Sequence, residues 1–444
     1  MKLRRQFDLI VIGADPAGLA AAACAARQGA DIGARVALIR TGEEQAGAVS
    51  SPAVPDFVWR RLNLHETNYL AKPVDAMVSL FEDGRTLSTF RNRAKTATML
   101  AENDFDPAGV YLDFAGAIER SGDDVGAVVR KGARDGRALV ARLGQSDGER
   151  FAERFAESLD VVLDDYFDDA GLKAHLASAA LMPFGLAGDE PGSAQALAAL
   201  SEPAAWRVRA GDKSPTLLRI LEDAAKAAGV EIIEAVVVGV QRADGKASDV
   251  ALEGGEVLRA ARVMTANALS PTASRLGSST TFSPLARKEG ASAEVRVKLG
   301  KAAAPPAGHK SAIYFAPGSS ETLKAARDAA LEGRLPDEPP IFFEFTRDEI
   351  VVRAPYCPAA LYADDEPRDW SEQDRQMLGR LVLERLGKVL NGAVQNVRKV
   401  DVRIAPRGLD VKARAPDAGV LAPPVSHDEI GAAARLAMEL VLGE

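Results

Sequence analysis

Cysteine is nearly absent from this chain: only Cys24 and Cys357 occur in 444 residues. Neither has a Cys or His close by in sequence. That excludes a disulfide framework and a thiolate zinc cluster, and it suits a reducing, cytoplasmic setting. Histidine is scarce as well. His65, His175, His309 and His427 are scattered without metal-ligand spacing, so no metal is expected. No apolar run reaches the roughly 20 residues needed to span a bilayer. No basic run stands out, and the net charge is -8, so a nucleic-acid partner is not expected. GxSxG, HExxH and the phosphate-cradling GKS or GKT are missing too.

What is present is ordinary for a globule: 47% hydrophobic and 27% charged residues. The length exceeds what one core usually serves, so two domains are expected. The N-terminus carries Lys2, Arg4 and Arg5 before an apolar stretch ending in AAAACAA, Ala20 to Ala26. This has the look of a secretory signal, or of a lipoprotein cleavage site before Cys24. Asp8 and Asp15 interrupt the apolar run, however, and Pro16-Ala17-Gly18 divides it into a strand and a helix. The structural reading is preferred.

The first segments form a β-α-β unit: strand Phe7–Ile12, turn Gly13–Gly18, helix Leu19–Gln28 stopped by Gly29, and strand Arg35–Ile39. AMVSLFEDGRTLSTF alternates apolar and polar around Asp83-Gly84 and predicts a hairpin. Lys95 to about Leu176 reads as mostly helical. LMPFGLAGDEPGS, Leu181 to Ser193, reads as a Pro-broken core segment, with a lipophilic tunnel or a membrane-surface contact as alternatives. Further on come a helix over Ser214–Ala228, a strand over Val230–Val240, and a hairpin arm plus buried strand over Gly255–Ala268. Alternating strands follow at Ala291–Leu299 and Ile341–Val352. A helix over Glu372–Leu390, a short strand Gly419–Ala422 and a helix Asp428–Leu442 complete the chain.

This order of segments resembles the phytoene desaturase-like flavoproteins, which include carotenoid desaturases and isomerases and retinol saturases. The matching stretches include VIGADPAGLAAAACAARQGA, LFEDGRTLSTFRNRAKTA, GLKAHLASAALMPFGLAGDEPGSA, LLRILEDAAKAAGVEI, GGEVLRAARVMTANALSP and GASAEVRVKLG. The resemblance implies an α/β protein: a Rossmann-like FAD/NAD(P)-binding domain with an interleaved α+β substrate domain. The first would comprise residues 1–75, 205–275 and 395–444, the second residues 76–204 and 276–394. It further implies flavin-dependent dehydrogenation, saturation or isomerisation of a long lipophilic substrate.

The positions that would touch FAD are altered. A Rossmann turn uses its first glycine for the bend, its second for close approach to the pyrophosphate, and its third for helix–strand packing. Gly13 and Gly18 supply the first and third. Asp15 stands in the second place, where its carboxylate would repel phosphate and cap the helix itself. Arg40 ends the second strand where an acid usually holds the ribose. A guanidinium there suits an extra phosphate and raises an NADP reading beside that of a surface arginine. The resemblance places a Gly-Gly pair where this chain has Gly211-Asp212. It lays the backbone of Val238 against adenine, and it counts Asn267 and Gly419 among the cofactor-contacting positions. Before the last helix, PPVSHDEIG replaces a long glycine-rich loop, with Ser426 or Asp428 as the helix cap.

Three readings follow. The first is a flavin oxidoreductase of a hydrophobic substrate whose FAD site is weakened or lost. The second is a non-catalytic relative that binds a lipid or a protein partner, with peripheral membrane contact left open. The third is an NADP-binding protein using Arg40. No catalytic residue is assigned.

Overall fold

The computed structural model describes residues 6–41, 54–64, 71–119, 157–194, 196–197, 205–208, 217–243, 247–266, 290–300, 305, 309, 312–346, 349–363, 366–390, 394, 396–406, 420–421 and 429–442. The fold is α/β, and the chain divides into two compact units. Met1–Lys72, Ala205–Ser283 and Leu409–Glu444 form the first, and Pro73–Ala204 and Pro284–Gly408 the second.

In chain order the first unit opens with β1 (Gln6–Ile12), α1 (Pro16–Gln28), β2 (Val36–Arg40), β3 (Val54–Pro55), α2 (Asp56–Arg61) and β4 (Ala71–Pro73). The second unit contributes β5 (Ala76–Leu80), β6 (Thr86–Phe90), α3 (Arg93–Glu102), helical residues 111–119, α4 (Leu159–Tyr166) and α5 (Ala170–Leu181). The first resumes with β7 (Ala205–Val208), α6 (Leu217–Ala227), β8 (Glu231–Glu234), β9 (Val237–Ala243), β10 (Ala247–Leu252) and β11 (Val257–Thr265). The second returns with β12 (Ala291–Leu299), β13 (Ala312–Ala316), α7 (Ser320–Leu331), β14 (Ile341–Phe345) and β15 (Glu349–Cys357). It closes with β16 (Leu361–Ala363), β17 (Glu366–Arg368), α8 (Glu372–Val389) and β18 (Val397–Pro406), and β19 (Val420–Leu421) and α9 (Glu429–Leu442) finish the first unit.

In the first unit β8, β2, β1 and β11 lie side by side and parallel, with β19 parallel to the far end of β11. Such a sheet needs cover on both faces. Leu9 and Val11 of β1 face a core shared with the alanines of α1, with Leu217, Ile220 and Leu221 of α6, and with Ala433, Ala434 and Ala437 of α9. Small side chains let these helices pack closely. Ile10 and Ile12 face the opposite core, which Val237, Val250 and Leu252 of the β9–β10 hairpin complete. The parallel sheet is thus covered by helices on one face and by a hairpin on the other.

Residues 230–240 are expected to form one strand, and they form two. β8 runs along β2, and the Ala235 amide closes that edge on the Arg40 carbonyl at 3.1 Å. The Val236 carbonyl then accepts from the Glu253 amide at 2.9 Å, and β9 departs along β10. Both halves are β-branched, so periodicity alone does not reveal the break. Residues 395–444 are expected in the first unit, yet β18 pairs antiparallel with β12 from Leu299↔Val397 to Ala291↔Pro406 and belongs to the second unit's sheet. Val397, Val400, Val402 and Ile404 pack against that unit's core, which dictates the placement.

The second unit is a sheet in the order β18-β12-β15-β14-β13-β5-β6, antiparallel except between β13 and β5. α8 covers one face through Leu378, Val382 and Leu386. The other face packs beneath α3, residues 111–119, α4, α5 and α7. The expected hairpin is β5–β6, with Gly84 at φ +84° in its turn. Met182 and Leu186 are buried in this core, as the core reading of LMPFGL requires.

Candidate functional site

In open α/β sheets, ligands bind in the crevice outside the carboxyl ends of the strands. In the first unit that rim carries the turn after β1, the end of β2 and the end of β8. The turn begins at Gly13, whose φ of +111° is a region that side chains rarely adopt. A Cβ there would lie 3.0 Å from Ala266 Cβ. At Gly18, a Cβ would lie 1.9 Å from the Gly13 carbonyl oxygen and 2.7 Å from Ala266 Cβ. Both glycines therefore serve close packing, as the motif requires. Ala266 is the third wall of this contact, held by its amide donating to the Ile12 carbonyl at 2.8 Å.

Asp15 is the N-cap of α1. Its backbone is extended, at φ −68° and ψ 174°, and Pro16 begins the helix. The Gly18 amide donates to Asp15 Oδ1 at 2.8 Å. A helix start offers unpaired amides to an anion. Here the chain's own carboxylate takes one of them and places a negative charge at the helix start. A phosphate brought to about 4 Å of it would meet a repulsion of about 1 kcal/mol per charge pair in water, and several times that in a drier site. The turn thus combines two closely packed glycines with a carboxylate that caps α1.

Arg40 ends β2, one residue beyond Ile39, whose carbonyl accepts from the Gly13 amide at 2.9 Å. The fold thus brings Arg40 beside the turn. Its Nη1 donates to Glu234 Oε1 at 2.7 Å and its Nη2 to Glu222 Oε2 at 2.9 Å. Burial works against the guanidinium charge, but Glu222 and Glu234 outweigh it and hold the pKa above the usual arginine range. Glu222 is pushed down, first by the Lys226 hydrogen bond, with Arg40 contributing against the opposing effect of burial. The positive charge that raised the NADP reading is therefore already matched by two carboxylates.

A cleft of about 500 Å³ opens at this rim, lined by Arg40, Thr41, Glu234, Ala235, Val236, Glu253 and Gly254. Val238 stands close by on β9. The β9–β10 register steps from Leu252↔Val237 to Ala251↔Gly239, so Val238 is the residue that the ladder skips. Its side chain is 59% exposed, whereas Val237 is fully buried.

Gly211, Asn267 and Gly419 lie outside the described residues, as do Ser426, His427 and Asp428. Glu234, Glu222 and Ala266 are missed by motif reading. Glu234 closes a β-branched run that looked continuous, and an acid ending a third parallel strand is the signal that was there to find. Asp8, which interrupts the apolar N-terminus, accepts from the Arg35 amide at 2.7 Å and fastens the start of β2. Cys24 sits on α1 with no exposure. Burial pushes its thiol up to about 12.

In the second unit, His175 on α5 is fully buried between Ser79 Oγ, 2.7 Å from Nδ1, and Thr89 Oγ1, 2.9 Å from Nε2. Burial pushes its pKa down to about 3, so it is neutral and ties the β5–β6 hairpin to the helix layer. Among the described residues no group of His, Cys, Asp and Glu could hold a metal ion, and no helix is long and apolar enough to cross a membrane.

No family model and no curated protein matches the chain. Solved structures do. A wild-type putrescine oxidase bound to putrescine is 15% identical with a TM-score of 0.52, over 99% of this chain and 98% of that one. A single-site mutant of putrescine oxidase, from a redesign of its cofactor binding, is 14% identical with a TM-score of 0.54, over 99% and 100%. At such identities the likeness is one of fold, and it extends over nearly the whole chain.

Proposed function

We propose that this chain is a flavin-oxidoreductase homologue of the phytoene desaturase-like kind whose FAD seat is weakened at the pyrophosphate. Its substrate, where activity persists, is a hydrophobic small molecule. The carrying observation is the 2.8 Å hydrogen bond from the Gly18 amide to Asp15 Oδ1, which occupies with an internal anion the place where a phosphate would bind. The fold shared with a putrescine oxidase supports the flavoprotein part of this reading. A bound flavin would carry the hydride chemistry. The turn residues do not fit its diphosphate, because Asp15 already holds the Gly18 amide.

The absorbance spectrum of the purified protein, followed by FAD titration, tests the proposal. A colourless protein with little thermal stabilisation by FAD is expected. A yellow protein with stoichiometric flavin overturns it.

A second reading is compatible with the same hydrogen bond: the fold serves binding of a lipid or a protein partner without catalysis. It differs in predicting no flavin uptake even after Asp15→Gly. The NADP reading loses its support because Arg40 is engaged by Glu222 and Glu234. NADP is expected to give no thermal stabilisation, and Arg40→Glu to change nothing in that respect.

A further inference from the structure

One row of side chains crosses the second unit's sheet and changes character half-way. The register aligns Arg403 of β18, Glu294 of β12, Arg353 of β15, Phe342 of β14 and Phe315 of β13. Residues opposite one another point to the same face of a sheet. Their strand neighbours Val295, Val352 and Phe343 are buried in the core that α8 covers, so the row lies on the opposite face. We propose that this row binds an apolar primary carboxamide. Its carbonyl accepts from the Arg353 guanidinium, its N–H donates to Glu294 Oε2, and its apolar body lies along Phe342. The site belongs to the second unit and is independent of whether the first unit holds FAD.

Two polar groups of the row are left over. Glu294 is 1% exposed. Its Oε1 accepts from Arg296 Nε at 2.9 Å, whereas its Oε2 is buried with no hydrogen-bond partner among the described residues. An unmet buried acceptor costs about 1–3 kcal/mol, and more when it is charged. Arg296 is engaged twice, since its Nη1 also donates to Glu349 Oε2 at 3.5 Å. Arg353 stands directly opposite Glu294, yet among the described residues no hydrogen bond joins the two. Its guanidinium carbon lies 5.9 Å from the centre of the Phe342 ring, and that ring lies 6.0 Å from Phe315. Burial pulls the Arg353 pKa below the usual arginine range, with Glu294 opposing and Arg296 adding to the shift. A donor and an acceptor thus stand side by side next to an aromatic floor, and Arg353 and Phe342 are only half-buried. Charge selects the ligand. A carboxylate on Arg353 would meet Glu294, and an ammonium on Glu294 would meet Arg353. Like charges at 4 Å repel by about 1 kcal/mol in water and several times that in a drier site. A carboxamide carries an acceptor and a donor on one carbon without net charge, so it satisfies both groups and meets neither repulsion. It is also less costly to desolvate than a zwitterion.

The test is calorimetric titration of the full chain with phenylacetamide, phenylacetate, phenethylamine and phenylalanine, for the wild type, Glu294→Gln and Arg353→Met. The wild type is expected to bind phenylacetamide, and the other three about tenfold more weakly, the size of one hydrogen bond to a charged group. Glu294→Gln keeps the shape and removes the negative charge, so phenylacetate should gain about tenfold relative to phenylacetamide. Arg353→Met removes the positive charge, so phenethylamine should gain by a similar factor. A general loss of packing would weaken all four probes together and would not reorder them. Absent phenylacetamide binding to the wild type, equal or tighter binding of any of the other three, or an unchanged order of probes in either folded variant would each overturn the proposal. The wild-type order decides it even where a variant does not fold.

Discussion

Asp15 Oδ1 and the Gly18 backbone nitrogen lie 2.8 Å apart, so the first turn of α1 is closed by the protein's own carboxylate. Cap energetics and ligand binding therefore pull in opposite directions at one residue. Asp15→Ala should cost about 1 kcal/mol, and Asp15→Gly only a few tenths, because glycine is itself tolerated at an N-cap. Urea unfolding measures both. Repeated with FAD, it should show that Asp15→Gly gains more ligand stabilisation than the wild type. Equal gains would mean that Asp15 does not obstruct the diphosphate.

Gly18→Ala should destabilise the first unit by several kcal/mol, at the upper end for a single substitution. The added Cβ would lie 1.9 Å from a carbonyl oxygen of a turn pinned by two strands, and backbone cannot yield there. Gly33→Ala is the control. Gly33 has a positive φ of +67° and nothing within 4 Å, so only the backbone strain of about 1 kcal/mol applies. Denaturation midpoints of similar size for the two variants would show that the α1–β1 contact is looser than described.

His175 makes stability depend on pH. Its folded pKa of about 3 lies below the 6.5 of an ordinary histidine. As pH falls, the unfolded chain therefore binds this proton first. The stabilising contribution is complete above about pH 6.5 and declines by about 1.4 kcal/mol per pH unit toward pH 3. Chemical denaturation at pH 7.5 and pH 5.0 should show the decline in the wild type and a shallower one in His175→Gln. Parallel pH profiles would place the titration elsewhere.

Cys24 and Cys357 should resist thiol reagents in the native protein. Both are buried, and the Cys24 thiol is pushed up to about 12, so almost no thiolate forms at neutral pH. Ellman titration should count both only in denaturant. Fast reaction of Cys24 in native buffer would show that α1 opens, and fast reaction of Cys357 that the end of β15 does.

Much of the first unit was legible because its signals are local. Gly13, Pro16, Gly18 and the alanine run specify a strand, a turn and a helix within a short span, and each contact they make is with near neighbours or with whatever packs against small side chains. The hairpin turn at Asp83-Gly84 was legible for the same reason. The break at Ala235-Val236 was not. Ile232-Ile233 and Val237-Val238 read alike whether they lie on β8 or on β9, and the choice depends on which partner strand waits at each side. β18 shows the same ambiguity: its alternating valines suit any half-buried sheet, and only the register with β12 assigns it.

The sequence by itself determined the shape of the turn and the capping of α1, since Asp15 and Gly18 are three residues apart and any helix begun there brings them together. The tertiary structure alone decided what Arg40 is. Its partners Glu222 and Glu234 lie 182 and 194 residues further along the chain. An isolated arginine at a strand end reads as a phosphate ligand. With two glutamates delivered by α6 and β8 its charge is matched, because ion pairing depends on distance in space, which the order of residues does not state.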